Sequence, residues 1–212
     1  MTLPGTLVIA RHHESEWNKE GLWTGHHDSH LTELGFKKSH EMGLLIKDVH
    51  VDYAYASMQV RAIETLSSML EALHLEHIPT EHAHALDERD YGDYTGKNKR
   101  EVEKMIGKEE FDKIRREWDY PVPHGETLKM VYERVVPFYK AVVLPLVAAG
   151  RNVLVVSHGN ALRALEVYIE SIPTEKAHNV EMLFGAAVLY RVDEEGKMTG
   201  KEVRSVEPEA GA

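Results

Sequence analysis

Apolar runs of four to seven residues alternate with longer stretches in which apolar residues recur every three or four positions. The short runs are rich in β-branched residues and bounded by polar ones, which is typical of buried strands. They predict strands at 7–10, 51–57, 152–157, 186–192 and 201–206, with a weaker strand signal at 77–86. The sequence "DEEGK" predicts a turn between the last two strands.

The longer stretches have the period of helices. Thr32 is a plausible N-cap for a helix that carries Leu34, Met42, Leu45 and Ile46. Further helices are predicted at 61–74, 99–106, 109–117, 128–142 and 161–170, with Pro137 and Pro145 expected to kink or end the helix at 128–142. Strands that alternate with helices predict an α/β fold, a three-layer sandwich with a mostly parallel sheet and helices on both faces.

Length and composition narrow the picture. A chain of 212 residues without a repeat or linker predicts a single domain over 1–212, with a possible mobile tail at 206–212. The net charge of −10, without a basic stripe, argues against a nucleic-acid partner. No apolar run reaches 18 residues, so we expect no membrane span. The absence of cysteine and of a secretory signal fits a cytoplasmic enzyme.

Two of the predicted strands end in the same way: four apolar residues, one polar residue and a histidine. The histidines are His12 in "LVIARHH" and His158 in "VLVVSHGN". Carboxyl ends of parallel strands share one edge of a sheet, where ligands bind, so we expect the two rings at that edge. Gly159 and Asn160 begin a helix whose free N–H groups favour an anion, and Arg11 and Arg61 can reach the same edge. The pattern predicts a phosphate pocket.

A resemblance follows from the motifs, taken in order. The chain resembles the cofactor-dependent phosphoglycerate mutases of the histidine phosphatase superfamily in the blocks "RHHESEWN", "WTGHHDSHLTELG", "RAIETL", "LDERDYGDYTGKNK", "IRREW", "PHGETL" and "SHGNALRAL". The first and last blocks mark the superfamily in general. The fourth block and the paired arginines of the fifth point to the mutases.

The resemblance implies interconversion of 3-phosphoglycerate and 2-phosphoglycerate, a step of glycolysis and gluconeogenesis. His12 would carry the phosphoryl group as a phosphohistidine, and Glu88 would be the general acid–base. Arg11, Arg61 and His158 would stabilise the charge on the transferring group. The implied cofactor is 2,3-bisphosphoglycerate, which primes His12, and no metal is implied. A homo-oligomer is possible.

The same resemblance gives the substrate-binding residues, which would supply hydrogen bonds or positive charge to a small phosphorylated acid. They are Ser15, Asn18, Thr24, Gly25, Arg89, Tyr91, Lys99, Arg115, Arg116, Gly159 and Asn160. Glu126 in "HGET" is expected either to hold an arginine in place or to start a helix. Two departures stand out: His13 replaces a usual glycine, and "MLFGAAVLY" lacks the usual Pro-Thr before Gly185.

Three alternatives stay open at this stage. A phosphomonoesterase of the same superfamily differs only in what accepts the phosphoryl group, and Lys99, Arg115 and Arg116 favour the mutase over it. A metal enzyme is suggested by His82, His84 and Asp87, although surface histidines are the simpler interpretation. A binding module without catalysis is suggested only by His13.

Overall fold

The computed structural model describes residues 4–180 and 184–206. A six-stranded sheet runs through its centre in the order β3-β2-β4-β1-β5-β6. The strands are β1 (Gly5–Arg11), β2 (Tyr53–Ala56), β3 (Thr80–His82), β4 (Val153–Ser157), β5 (Ala186–Val192) and β6 (Met198–Ser205).

The pairing of the strands confirms the mostly parallel sheet. Strands β1, β2, β3 and β4 pair in parallel, and β5 and β6 complete one side as antiparallel neighbours. The turn at 193–197 is too short for a crossover, so β6 must return antiparallel to β5. In the register of β1 with β4, Arg11 lies opposite Ser157, and the His12 N–H donates to the Ser157 carbonyl at 2.9 Å. The two chain segments therefore leave the sheet side by side.

Helices cover both faces of this sheet. The bounds are α1 (Glu16–Lys19), α2 (Glu33–Leu45), α3 (Val60–Leu73), α4 (Lys99–Ile106), α5 (Lys108–Arg116), α6 (Leu128–Phe138), α7 (Leu144–Ala148) and α8 (Gly159–Ile169). Alternate residues of β1 face opposite layers, as strand geometry requires. Leu7 and Ile9 pack in the core that includes α6 and α8, while Val8 and Ala10 pack in the core of α2 and α3. The predicted three-layer architecture is confirmed.

The predicted helix over 128–142 continues further than expected. Pro137 lies inside α6, and a π-helical turn at Tyr139–Val143 joins α6 to α7, where Pro145 occupies the first turn. Proline lacks a backbone N–H donor, and its ring clashes with the carbonyl one turn earlier. A π turn accommodates both effects without ending the helix. Pro145 is tolerated because the first turn of a helix needs no such donor.

A third, smaller core lies outside the sheet. Trp23, Val102, Phe111, Ile114 and Val122 form it between the 23–24 loop, α4 and α5. The weak strand signal at 77–86 resolves into the three-residue β3 and a 3₁₀ turn at His84–Leu86. Thr32 caps α2 through the Gly35 N–H, as expected. One domain over 1–212 stays a prediction, and the expected tail lies outside the described residues after Val206.

Candidate active site

His12 and His158 lie next to each other at the carboxyl edge of the sheet. Their ring centroids are 4.8 Å apart, because each residue directly follows one of the paired strands β1 and β4. Both side chains are buried, with His12 2% exposed and His158 0% exposed. Two buried imidazoles with little access to water make an unfavourable core, so their placement points to a function.

The environment of His12 keeps its imidazole neutral. Burial, followed by the charges of Arg61 and Arg11, lowers the pKa of His12 well below its ordinary value. Its Nδ1 contacts the carbonyl oxygen of His13 at 2.7 Å. A carbonyl only accepts, so Nδ1 holds the ring proton and Nε2 keeps a free lone pair. His12 is thus prepared as a nitrogen nucleophile.

His158 is held from the other side by Ser57. The Nε2 atom of His158 lies 2.7 Å from the Ser57 hydroxyl, and burial and Arg61 lower the pKa of the His158 ring. Its Nδ1 is buried and has no hydrogen-bond partner among the described residues. An unpartnered polar atom at this depth is uncommon and marks the ring as more than a packing residue.

Arg61 anchors the loop that faces the histidines. It donates from Nη1 to the His27 carbonyl and from Nη2 to the Gly25 carbonyl, both at 2.9 Å. Burial lowers the pKa of Arg61 to about 10, so the guanidinium keeps its charge at neutral pH. Its Nε, the Thr24 hydroxyl and the Trp23 indole nitrogen are buried without partners among the described residues. Such unsatisfied polar atoms fit a ligand rich in oxygen.

Glu88 lies on the loop after the 3₁₀ turn, and three hydrogen bonds to one oxygen hold its carboxylate. Oε1 accepts from the Arg89 N–H at 2.8 Å and from the Asn160 backbone and side-chain nitrogens, both at 3.2 Å. The Glu88 backbone N–H donates to the Gln59 side chain at 2.7 Å, and that side chain donates to the Gly25 carbonyl, also at 2.7 Å. Gln59 therefore links the Glu88 loop to the Thr24–Gly25 loop.

Glu126 and Arg134 also hold the Glu88 loop in place. Arg134 forms a bidentate pair with Glu126, with both N···O distances at 2.9 Å. It also donates to the backbone carbonyls of Ala85, Asp87 and Glu88. Of the two roles expected for Glu126, the structure thus shows the first, which is to hold an arginine.

Cations from three helices line the far side of the pocket. Lys99 opens α4, Arg115 and Arg116 end α5, and Arg163 lies on α8. Burial, then the charges of Arg115 and Arg11, lower the pKa of Lys99 to about 8. Of the residues that the structure describes, six with cationic side chains and one with a carboxylate line the pocket. This charge balance is suited to a ligand with several negative charges.

The structure brings most of the expected site residues to one pocket. Its lining includes Arg11, His12, Asn18, Thr24, Gly25, Arg61, Glu88, Tyr91, Lys99, Arg115, Arg116, Gly159 and Asn160. His158 lies directly behind His12. Ser15 and Arg89 do not line the pocket: Ser15 caps α1 through Asn18, and Arg89 donates to the Glu126 and Ile114 carbonyls in the protein interior.

Four residues at or behind the pocket were not expected from the sequence. Trp23 and Arg163 line the pocket, and Gln59 and Arg134 form hydrogen bonds with the loops around the pocket. Two of them carried a sequence signal. Arg163 follows Asn160 by three positions on a predicted helix and so shares its face, and Trp23 immediately precedes Thr24.

His13 is accommodated without backbone strain. It is not among the non-glycine residues with positive φ, so a glycine is not required there by the backbone. Its Nδ1 accepts from the Glu14 N–H at 2.8 Å, and its ring lies 5.8 Å from the ring of Phe184, which also packs on the Arg11 guanidinium. The second departure, around Gly185, falls partly on residues 181–183, outside the described part of the chain.

The described residues form neither a metal site nor a membrane-spanning helix. Over residues 4–180 and 184–206, no group of three His, Asp or Glu side chains is arranged to hold a metal ion. Of the residues considered for that role, His84 contacts Asp87 at 2.9 Å and His82 is exposed on β3. No described helix has the length and apolarity needed to cross a membrane.

A mostly parallel sheet with buried histidines and cations at its carboxyl edge defines an α/β phosphate-binding protein. The chain belongs to the histidine phosphatase superfamily (branch 1), whose family model matches residues 7–203. It is 40% identical over 203 residues to the 2,3-bisphosphoglycerate-dependent phosphoglycerate mutase of Parvibaculum lavamentivorans, covering 95% of this chain and 97% of that one. The enzyme of the same name from a Chelativorans species is 38% identical, covering 95% and 98%. Among solved structures, Bacillus stearothermophilus YhfR superposes with a TM-score of 0.81 at 28% identity, covering 92% of this chain and 94% of YhfR.

Proposed function

We propose that the chain interconverts 3-phosphoglycerate and 2-phosphoglycerate, with His12 as the carrier of the phosphoryl group. The observation that supports this most directly is the neutral, buried His12, which lines a pocket to which the described residues contribute six cations and one carboxylate. The relatives named phosphoglycerate mutase match nearly the whole chain, which supports the same activity.

In the first half of the reaction, His12 already carries the phosphoryl group on Nε2, and the free hydroxyl of 3-phosphoglycerate attacks that group while the bond between nitrogen and phosphorus breaks. Arg11, Arg61 and His158 stabilise the negative charge of the phosphoryl oxygens in transit. Glu88, ionised at this point, takes the proton of the attacking hydroxyl.

In the second half, His12 Nε2 attacks the phosphorus of the phosphate that the substrate brought in, and the bond from that phosphorus to the substrate oxygen breaks. Glu88 gives its proton to the departing alkoxide, which leaves as a hydroxyl group of 2-phosphoglycerate. Atoms and charge balance over the cycle, because His12 is phosphorylated and Glu88 ionised again, as at the start. Lys99, Arg115 and Arg116 hold the three-carbon acid between the two halves, so that its second phosphate stays within reach of His12.

The cofactor follows from the same site. We infer that 2,3-bisphosphoglycerate is used, and when bound it supplies the phosphoryl group that first loads His12. Its two phosphates and carboxylate fit the two groups of cations and the orphaned donors between them. Arg11 and Arg61 would hold one phosphate, while Lys99, Arg115 and Arg116 would hold the other and the carboxylate.

A phosphomonoesterase would take the phosphoryl group onto His12 in the same way and then pass it to water. Lys99, Arg115 and Arg116 favour the mutase, because a general phosphatase does not need to retain a three-carbon acid between the two halves of the reaction. Some hydrolysis is expected whenever water reaches the phosphorylated His12. A cytoplasmic location and a homo-oligomeric state stay predictions.

Incubation with 2,3-bisphosphoglycerate labelled on phosphorus tests the proposal. The label should appear as acid-labile phosphate on His12, and unlabelled 3-phosphoglycerate should then yield 2-phosphoglycerate faster than free phosphate. His12→Ala should abolish both, whereas His40→Ala, an exposed histidine on α2, serves as the matched control and should change neither. Undiminished turnover in His12→Ala would refute the mechanism, and release of phosphate alone would favour the esterase.

A further inference from the structure

Arg163 lies on α8 and joins three segments around the pocket. Its Nε donates to the Val180 carbonyl at 2.8 Å, and its Nη1 donates to Asn160 Oδ1 at 2.9 Å and approaches the Arg115 carbonyl at 3.5 Å. A guanidinium group has no acceptor, so it can face only the oxygen of the Asn160 amide. Arg163 therefore determines which way that amide points.

With Oδ1 directed at Arg163, the nitrogen of the Asn160 amide must face the opposite side. Nδ2 donates to the Tyr91 hydroxyl at 2.8 Å and to Glu88 Oε1 at 3.2 Å. With the backbone N–H groups of Arg89 and Asn160, Glu88 Oε1 then accepts three hydrogen bonds. Glu88 Oε2 accepts none from the described part of the chain, so the two oxygens of the carboxylate differ.

We propose that Arg163 is a positioning residue for the acid–base chemistry of Glu88. By fixing the Asn160 amide, it anchors Oε1 and leaves Oε2 as the oxygen that takes and returns the proton. This inference rests on the proposed transfer function and assigns Arg163 a part in the proton step in addition to its place in the wall of the pocket.

Loss of Arg163 removes the constraint on the amide. A rotated Asn160 presents Oδ1 to the carboxylate, and two facing acceptors favour the protonated form of Glu88. Transfer to a substrate hydroxyl needs ionised Glu88, so the acidic limb of the pH–rate profile should move to higher pH. The charged and titratable groups that face Glu88 are Arg61 on α3, Lys99 on α4, Arg163 on α8, and Arg89 and Tyr91 on its own loop, with His26 and Arg134 at its carbonyl oxygen.

The test separates orientation of the amide from the loss of a positive charge. Arg163→Met should lower kcat about tenfold and move the acidic limb up by about one pH unit, while Arg163→Lys, which keeps a cationic donor, should recover most of both. The same Arg163→Met change is then made in an Asn160→Ala background. If Arg163 acts through the Asn160 amide, Arg163→Met should not shift the acidic limb of the pH–rate profile any further in the Asn160→Ala background.

Each outcome decides the question. An equal shift of the limb in both backgrounds would overturn the inference, because Arg163 would then act only through its charge. A rise in KM with kcat and the pH profile unchanged would also overturn it and make Arg163 a plain anion ligand. Failure of the unaltered chain to phosphorylate His12 would instead refute the proposed function, so the two failures are distinguishable. Urea unfolding of each variant checks that the fold is kept.

Discussion

Lys99 is expected to weaken the unliganded fold. It opens α4 and faces the pocket, where burial and the charges of Arg115 and Arg11 oppose its ammonium group. No described residue forms a salt bridge with it, although Glu88 attracts it from a distance. The Lys99→Met variant keeps the apolar stem of the side chain and removes the charge. We therefore expect this substitution to stabilise the protein while impairing the binding of anions.

The magnitude follows from the pKa of Lys99, which falls from 10.5 in the unfolded chain to about 8 in the folded one. At ~1.36 kcal/mol for each pH unit, holding the charged form in the fold costs about 3 kcal/mol. The unfolded chain takes up its proton as the pH falls through 10.5, and the folded chain only as it falls through about 8. The cost therefore grows between these values and is complete below about 8. At pH 7, Lys99→Met should raise the free energy of unfolding by about 2–3 kcal/mol.

Urea unfolding at pH 7 and near pH 10.5 measures this effect. The gain in Lys99→Met should be largest at pH 7 and nearly vanish at the higher value, and the affinity of the unaltered protein for 3-phosphoglycerate should fall as the pH rises through 8. Lys104→Met on the exposed side of α4 is the matched control and should change stability little at either pH. A loss of stability in Lys99→Met at pH 7, or a gain that does not depend on pH, would contradict the assigned cost of the Lys99 charge.

Two further substitutions test buried polar groups, one beside the site and one away from it. Gln59→Leu leaves the buried Glu88 N–H without its acceptor, so urea unfolding should show a loss of about 2 kcal/mol and kcat should fall as the Glu88 loop shifts; unchanged stability would contradict this. Burial raises the pKa of Glu166 above its ordinary 4.5, so Glu166 stabilises the fold at acid pH and this contribution is lost as the pH rises through the folded value. In thermal unfolding between pH 5 and 8, the stability of Glu166→Gln should therefore fall less with rising pH than that of the unaltered protein. An equal fall in both proteins would show that Glu166 does not cause it.

The parts of the fold that the sequence predicted are those in which a local pattern has a single structural outcome. The period of two in β1 places Val8 and Leu7 on opposite faces, and the side chain of Thr32 satisfies a free N–H at the start of α2. The π turn after Pro137 was not predictable, because a proline in a helix can be accommodated by a kink, a break or a widened turn. The choice depends on packing with other segments.

The same distinction holds for the site. His12 and His158 could be placed together because each directly follows a strand and the strands are parallel neighbours. Gln59 and Arg134 could not be found this way, because a polar residue at the start of a helix or on it usually faces solvent. Their backbone partners lie in loops 29 or more positions away in the sequence, and only the folded chain brings these together.

The charge distribution explains how a chain with a net charge of −10 can attract a polyanion. Burial lowers the pKa of Arg61, Lys99 and Arg163 alike, so the fold holds these cations at a cost in stability. A bound phosphate or carboxylate replaces the missing water and relieves that cost, and the resulting stabilisation of the folded protein is part of the binding free energy. Glu88 is the one carboxylate that residues 4–180 and 184–206 contribute to the pocket lining, and three N–H groups bind one of its oxygens. A pocket in which these residues place an acid among several cations can hold an anion throughout the reaction and still move a proton, which transfer between two oxygens of one substrate requires.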